Sequence, residues 1–238
     1  MHATIQKPME EILSFLRPGE KVFVFGCSNC AMKCHSGGPE ETKRMAERLK
    51  KKGVEVTGFV APPEGASLCK LSLVQKMVGE NKAEVDAADS FVVLACGQGF
   101  HTVVDATEGG LVHPGCDTIF GGETVRDDLI NEYCSLCGEC IADLTGGLCP
   151  LTLCAKGLLN GPCGGAKDGK CEADTNRDCG WVLIYERLKS LGRLENIEAY
   201  QTPKNNAKWS RLRSLDVGAT VSTFHSLAGE RTISQEND

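Results

Sequence analysis

No stretch of this 238-residue chain is apolar for long enough to span a bilayer. The longest runs, such as FVVLAC at 91–96, fall far short of the about 20 residues a membrane helix needs. The opening, MHATIQKPMEEIL, lacks the apolar core of a secretory signal, so a cytoplasmic protein is expected. Basic blocks are missing too. Lys and Arg number 26 against 32 Asp and Glu, a net charge of −6, which leaves no positive stripe for nucleic acid. GQG at 97–99 lacks the third glycine of a dinucleotide fingerprint. Neither a Ser-His-Asp set nor a paired-carboxylate motif stands out, and His101 and His113 have no nucleophile near them in sequence. Ordinary surface or packing roles are expected for both.

What the chain has instead is cysteine, fourteen in all. Disulfides do not persist in a reducing cytosol, so thiolate ligands for metal fit this count better than a disulfide framework. The distribution is uneven. Eight of them fall in the 46 residues from Cys134 to Cys179, while the first 133 residues hold six.

Two regions differ in pattern. In the first, residues 1–128, apolar runs alternate with helical signals. KVFVFG (21–26), VEVTGFVA (54–61) and FVVLAC (91–96) read as strands, with DTIFGG (117–122) as a fourth. PEETKRMAERLKKKG (39–53) opens on proline and acids and closes on lysines and glycine, the signature of a helix, and KLSLVQKMVGEN (70–81) reads as another. This order predicts an α/β fold, a small flavodoxin- or Rossmann-like parallel sheet with helices on both faces. The second region, 129–200, is a Cys-rich segment followed by a helix. LLNGPCGGAKDGKC offers no apolar core of its own, and bound metal would supply the missing folding energy. GWVLIYERLKSLGRLENI (180–197) restores helical spacing and is expected to pack back on the sheet. Residues 201–238 are polar with weak pattern, a tail expected to be flexible or to wrap a partner.

CSLCGEC places Cys134, Cys137 and Cys140 at C-x₂-C-x₂-C. Zinc tetrahedra are usually built from two separated C-x₂-C pairs. Three thiols on one tight loop suit a cubane, since each can reach a different iron corner, as in bacterial ferredoxins. Those add a Cys-Pro soon after, whereas Cys149-Pro150 here follows a longer gap. One of Cys149, Cys154, Cys163, Cys171 and Cys179 can complete this cluster, leaving four for a second. Two [4Fe–4S] clusters are the expectation, with the pairing open and structural zinc the alternative. Glycines in GGLC and GPCGG would let backbone N–H groups reach the inorganic sulfides, which raises the potential.

A second constellation, GCSNCAMKCHSGG, follows the first strand with Cys27, Cys30 and Cys34. Cys96 follows the third. In a flavodoxin-type order those strands are neighbours whose carboxyl ends meet at the ligand-binding switch point, so the four thiols converge on one metal. Cys69, after the second strand, is a rival fourth ligand. Zinc and a cubane both stay open here, His35 beside Cys34 keeping zinc in play. The alternative is free cysteines on a turn. Cys116 reads as a buried small hydrophobe.

From CSLCGECIADLTGGLCPLTLCAKGLLNGPCGGAKDGKCE through CGWVLIYERLKSLGRL, the chain resembles the C-terminal-type domain associated with methylenetetrahydrofolate reductases. Within that group it is most similar to the small iron–sulfur subunit of the two-subunit enzyme of acetogenic bacteria. The likeness extends back through FGCSNCAMKCHSGG and ACGQGFHTV, about residues 20 to 204. It implies a partner subunit, a TIM barrel holding flavin and folate, to which this chain brings electrons from a low-potential donor such as ferredoxin. It implies no catalytic residue here for folate and no flavin outside the partner. About 60 residues follow the last cysteine, against the roughly 250 of a barrel. Two other readings remain: a non-redox zinc scaffold, and a relay for a heterodisulfide or corrinoid-linked reductase.

Overall fold

The computed structural model describes residues 1–127 and 129–206, together with the backbone of 213–215 and 224–226. The chain divides into two compact units, Met1–Glu132 and Tyr133–Asp238.

In the first unit the elements run β1 (His2–Gln6), α1 (Met9–Phe15), β2 (Lys21–Gly26), α2 (Cys30–Lys33), α3 (Pro39–Lys51), β3 (Glu55–Val60), α4 (Leu71–Glu80) and α5 (Lys82–Asp86). They continue with β4 (Ser90–Leu94), α6 (Gly97–Ala106), β5 (Val112–Pro114), β6 (Cys116–Gly121), β7 (Glu123–Arg126) and β8 (Leu129–Asn131). Strands β3-β2-β4-β5 form one sheet in that order, and every pairing in it is parallel. The chain therefore steps from β2 to one neighbour, then crosses to the other side for β4.

The period of two along β2 sorts its side chains onto opposite faces. Phe23 and Phe25 join Phe91 and Val93 under Val74, Met77, Val85 and Val103 of α4, α5 and α6. Val22 and Val24 join Val92 and Leu94 under Met9, Ile12, Met45, Ala46 and Leu49 of α1 and α3. Helices thus cover both faces, as the βαβα pattern implies. Helix α3 shows the local cause. Pro39 opens it, Glu40 and Glu41 complement the positive end of its dipole, and Arg48, Lys50 and Lys51 complement the other.

One strand assignment needs correcting. DTIFGG does form β6, but it pairs antiparallel with β1, Gln6 opposite Cys116 and Ala3 opposite Phe120. The fourth parallel strand is β5, only three residues long. The sequence hides it, because VHP is too short to carry a period and ends on proline.

His113 on β5 is not at the surface. Its Nε2 lies 3.2 Å from Glu20 Oε1, both side chains are buried, and Phe15 stacks on the imidazole at 6.0 Å. Burial pushes the Glu20 carboxyl up, yet the neighbouring Ser90 hydroxyl, the Arg17 N–H and His113 outweigh it and hold the group below the usual carboxylate range. A depressed native pKa gives stability that is present above the unfolded-state value, about 4.3, and is lost as the pH falls through the folded one. Glu20→Gln is expected to cost about 1.5–3 kcal/mol at neutral pH, the range for hydrogen bonds to a charged group. Urea unfolding at neutral pH and at successively lower pH should show that gap closing in acid. A gap independent of pH would remove the carboxylate from the account.

In the second unit the elements are α7 (Pro150–Leu153), β9 (Lys170–Cys171), β10 (Asp174–Asp178) and α8 (Gly180–Leu191), then a 3-10 turn at Leu194–Ile197. Two further strands, β11 (Arg213–Leu215) and β12 (Phe224–Ser226), pair antiparallel within the segment read as a tail. The rest of 207–238 lies outside the described residues, and with it the wrapping role considered for the tail. Helix α8 ends at Gly192, whose φ of 65° is the left-handed cap that splits GWVLIYERLKSLGRLENI in two.

The Cys-rich unit does possess a small core, contrary to expectation. Trp181, Ile184 and Leu188 of α8 are buried with Cys179, and Leu148, Cys154, Leu158, Ala166, Leu194 and Ile197 pack around them. The helix thus finds apolar partners within its own unit. Trp181 also donates its Nε1–H to Leu158 O at 3.0 Å, fixing the loop that LLNG begins.

Candidate functional site

All fourteen thiols are free. In the first unit, β2 and β4 end side by side, Gly26 opposite Leu94; Cys27 follows β2 directly and Cys96 follows β4 after Ala95. Both are buried, and Cys96 lies close enough to add a small upward push on the Cys27 thiol. Burial pushes the Cys27 thiol up, opposed by hydrogen bonds from the backbone at Leu68, Asn29 and Ala31. Cys34 closes α2, where its Sγ accepts the Thr4 N–H at 3.4 Å. Cys30 begins the same short helix and is half-buried.

Gly37 holds this turn against the sheet. Its carbonyl accepts the Cys27 N–H at 2.7 Å, and a Cβ built on it would lie 2.1 Å from Leu94 O. A second loop closes over the site from β3. Gly65 N–H donates to Ser28 O at 2.9 Å, and Ser28 Oγ donates to Pro62 O at 2.5 Å. Leu68 of this loop reaches Cys27, while the adjacent Cys69 is exposed and donates to Ser67 Oγ at 3.3 Å.

Cys116 is buried and packs in the apolar cluster on the α3 side of the sheet, matching its reading as a small hydrophobe. The sequence gives no hint of its second relation. Burial, then Asp117, Cys34 and Cys27, push its thiol up to about 12, against the pull of the Ser36 side-chain hydroxyl. Cys116 Sγ donates to Ser36 O at 3.4 Å. Cys96 thus lies near Cys27, and Cys116 lies near both Cys27 and Cys34.

In the second unit, Leu136 at φ 55° and Gly138 at φ 78° fold C-x₂-C-x₂-C back on itself. Leu136 N–H donates to Cys134 Sγ at 3.4 Å. Cys134 and Cys140 are exposed, and Cys137 is half-buried. Lys204 Nζ donates to Cys137 Sγ at 3.3 Å and also to the Glu139 carbonyl. Burial pushes the Cys137 thiol up, but the Glu139 backbone and the Lys204 ammonium reverse that and leave it below the ordinary thiol value. Cys149 and Cys154 bracket α7, and a Cβ on Gly180 would meet the Leu153 backbone at 2.7 Å, so α7 lies tight against the start of α8. Cys154 and Cys179 consequently share the apolar cluster. Cys171 lies in β9, and exposed Cys163 donates to Glu172 Oε1 at 3.4 Å beside Lys156.

Among the described residues, no group of three or more His, Cys, Asp and Glu side chains is arranged to hold a metal ion. The donor chemistry still suits a soft metal: reduced sulfur on turning loops, with N–H groups directed at Cys27, Cys34 and Cys134. Lys204 is the feature that motif reading misses, because nothing in TPKNN marks it and it stands far along the chain from Cys137.

Among the described residues, no helix is long and apolar enough to cross a membrane. Residues 113–207 match the protein family described as methylene-tetrahydrofolate reductase C terminal. The match covers under half of the chain, takes in all eight cysteines from Cys134 to Cys179 as well as Lys204, and leaves GCSNCAMKCHSGG outside. No curated protein and no solved structure matches the chain.

Proposed function

We propose that this chain is the electron-transfer subunit of a methylenetetrahydrofolate reductase. The observation that carries the reading is the reductase C-terminal match falling on the eight-thiol region. Cys134, Cys137 and Cys140, with one of Cys149, Cys154, Cys163, Cys171 and Cys179, would hold one [4Fe–4S] cluster, and the remaining four a second. Cys27, Cys30 and Cys34, with Cys96 or Cys69, would hold zinc or a further cluster, and Cys116 is the thiol the fold adds to that neighbourhood. Such clusters accept and release single electrons when bound, and the protein sets their potentials and their route. The chain's own part is positional. Turning loops present the sulfurs, N–H groups and Lys204 balance their charge, and the partner holds flavin and folate. An interface for such a partner would bury on the order of 2,000 Å² or more.

The test begins with iron, zinc and labile sulfide on protein purified without oxygen. The chain alone should be inactive on methylenetetrahydrofolate. Reconstituted with a flavin-containing barrel subunit, it should let reduced ferredoxin or a viologen drive the reduction, and removing its iron should abolish that rate. Equal rates with and without iron, or zinc without sulfide, would make the chain a scaffold. Co-purification of a different reductase would leave the relay standing and change its target.

A further inference from the structure

We propose that Lys204 is a positioning and charge-balancing residue for the Cys134–Cys140 loop, acting through the Cys137 sulfur; this rests on the relay reading above. The ammonium is held in place from two sides. Its own Nζ–H groups go to Cys137 Sγ at 3.3 Å and to the Glu139 carbonyl. The next residue, Asn205, donates its backbone N–H to Glu139 Oε2 at 2.9 Å. Three residues earlier, Gln201 N–H donates to Asn160 Oδ1 at 2.7 Å and Asn160 Nδ2 donates back to Gln201 O at 2.8 Å. Residues 201–205 therefore form a strap, tied at both ends, that lies on the Cys137–Glu139 turn. A lysine tip usually stays in water because its stem is flexible and its head strongly hydrated. Here the backbone on either side is pinned, so only the side chain's own rotamer freedom is lost when the head settles on sulfur.

The chemical consequence follows from charge. A thiolate-bound cluster gains negative charge on reduction, and a hydrogen-bonded cation at the sulfur favours the more negative state. The potential is thereby raised. Lys204 would make the cluster on this loop easier to reduce than it would be without the ammonium.

The test uses the full chain purified without oxygen, as wild type, Lys204→Gln and Lys204→Arg. Iron and sulfide are assayed, and each cluster's midpoint is read by potentiometry monitored by electron paramagnetic resonance. One midpoint is expected to move to more negative potential in Lys204→Gln, with the other unmoved, and Lys204→Arg to restore most of the shift. Iron lost in Lys204→Gln and retained in Lys204→Arg would also support the inference, as failed anchoring. Identical midpoints in all three proteins, or iron lost equally from both variants, would overturn it while leaving the relay intact. Wild-type protein without iron and sulfide would overturn the relay reading and this inference together.

Discussion

Gly37→Ala should destabilise the first unit by about 3 kcal/mol or more, at or beyond the upper end of the usual cost of overpacking. The added Cβ would stand 2.1 Å from Leu94 O and 2.9 Å from Ala31 Cβ. Neither neighbour can yield cheaply. Leu94 ends a central strand, and Ala31 is a buried residue of α2. Relief by moving the turn outward would stretch the Cys27 N–H bond to Gly37 O and carry Cys34 away from β1. The same substitution at Gly79 provides the control. That residue lies in α4 with nothing within 4 Å of a built Cβ, so Gly79→Ala should stabilise by up to about 1 kcal/mol through helix propensity. Thermal and urea unfolding of the pair reads the difference. Equal stabilities would mean that the turn is free to shift, and that the thiols it carries are not held against the sheet.

Trp181→Ala should cost the second unit about 3–5 kcal/mol, the range for deleting a large buried aromatic side chain. Trp181 is 5% exposed, and its ring anchors both the α8 cluster and the Leu158 carbonyl. Trp181→Phe keeps most of the packing and loses the hydrogen bond, for which about 1 kcal/mol is expected besides any repacking. Amide hydrogen exchange along α8 localises the effect to this unit. Unchanged protection in Trp181→Ala would show that the thiols and whatever they bind, rather than this core, keep the unit folded.

The central strands were legible because parallel strands buried on both sides are nearly continuous apolar runs, as KVFVFG and FVVL are. Helix α3 was legible from its ends. What failed was partner choice. DTIFGG reads correctly as a strand, but Asp117, Thr118 and Ile119 are exposed, unlike the residues of an inner parallel strand. Its pairing with residues 2–6 is a long-range fact with no local mark. The cysteine spacings are plain in the sequence, and the adjacency of β2 and β4 does bring Cys27 beside Cys96. The surroundings of these thiols are not. Cys116 meets the same neighbourhood only because β5 and β6 turn beside the sheet, and Lys204 meets Cys137 only through a strap that runs across the fold. The small core of the second unit was missed for a similar reason. Leu148, Leu158 and Ala166 look isolated among glycines until α8 supplies a surface for them.

The antiparallel ribbon of β1 and β6 has a consequence for biosynthesis. Residues 2–6 are made well before their partner, residues 116–121. At about 5–20 residues per second, the early strand waits roughly 6 to 23 seconds on the ribosome with its edge unpaired. Ile5 remains 61% exposed even after pairing, so the nascent segment offers other chains a bare edge carrying an apolar side chain. Cys34 is tied to the same event, because the Thr4 N–H it accepts is fixed in place only when the ribbon closes. Closure of the N-terminal cysteine turn against β1 would therefore come late, after residue 121 has left the exit tunnel. Nascent chains stalled short of that point should be the ones that chaperones hold.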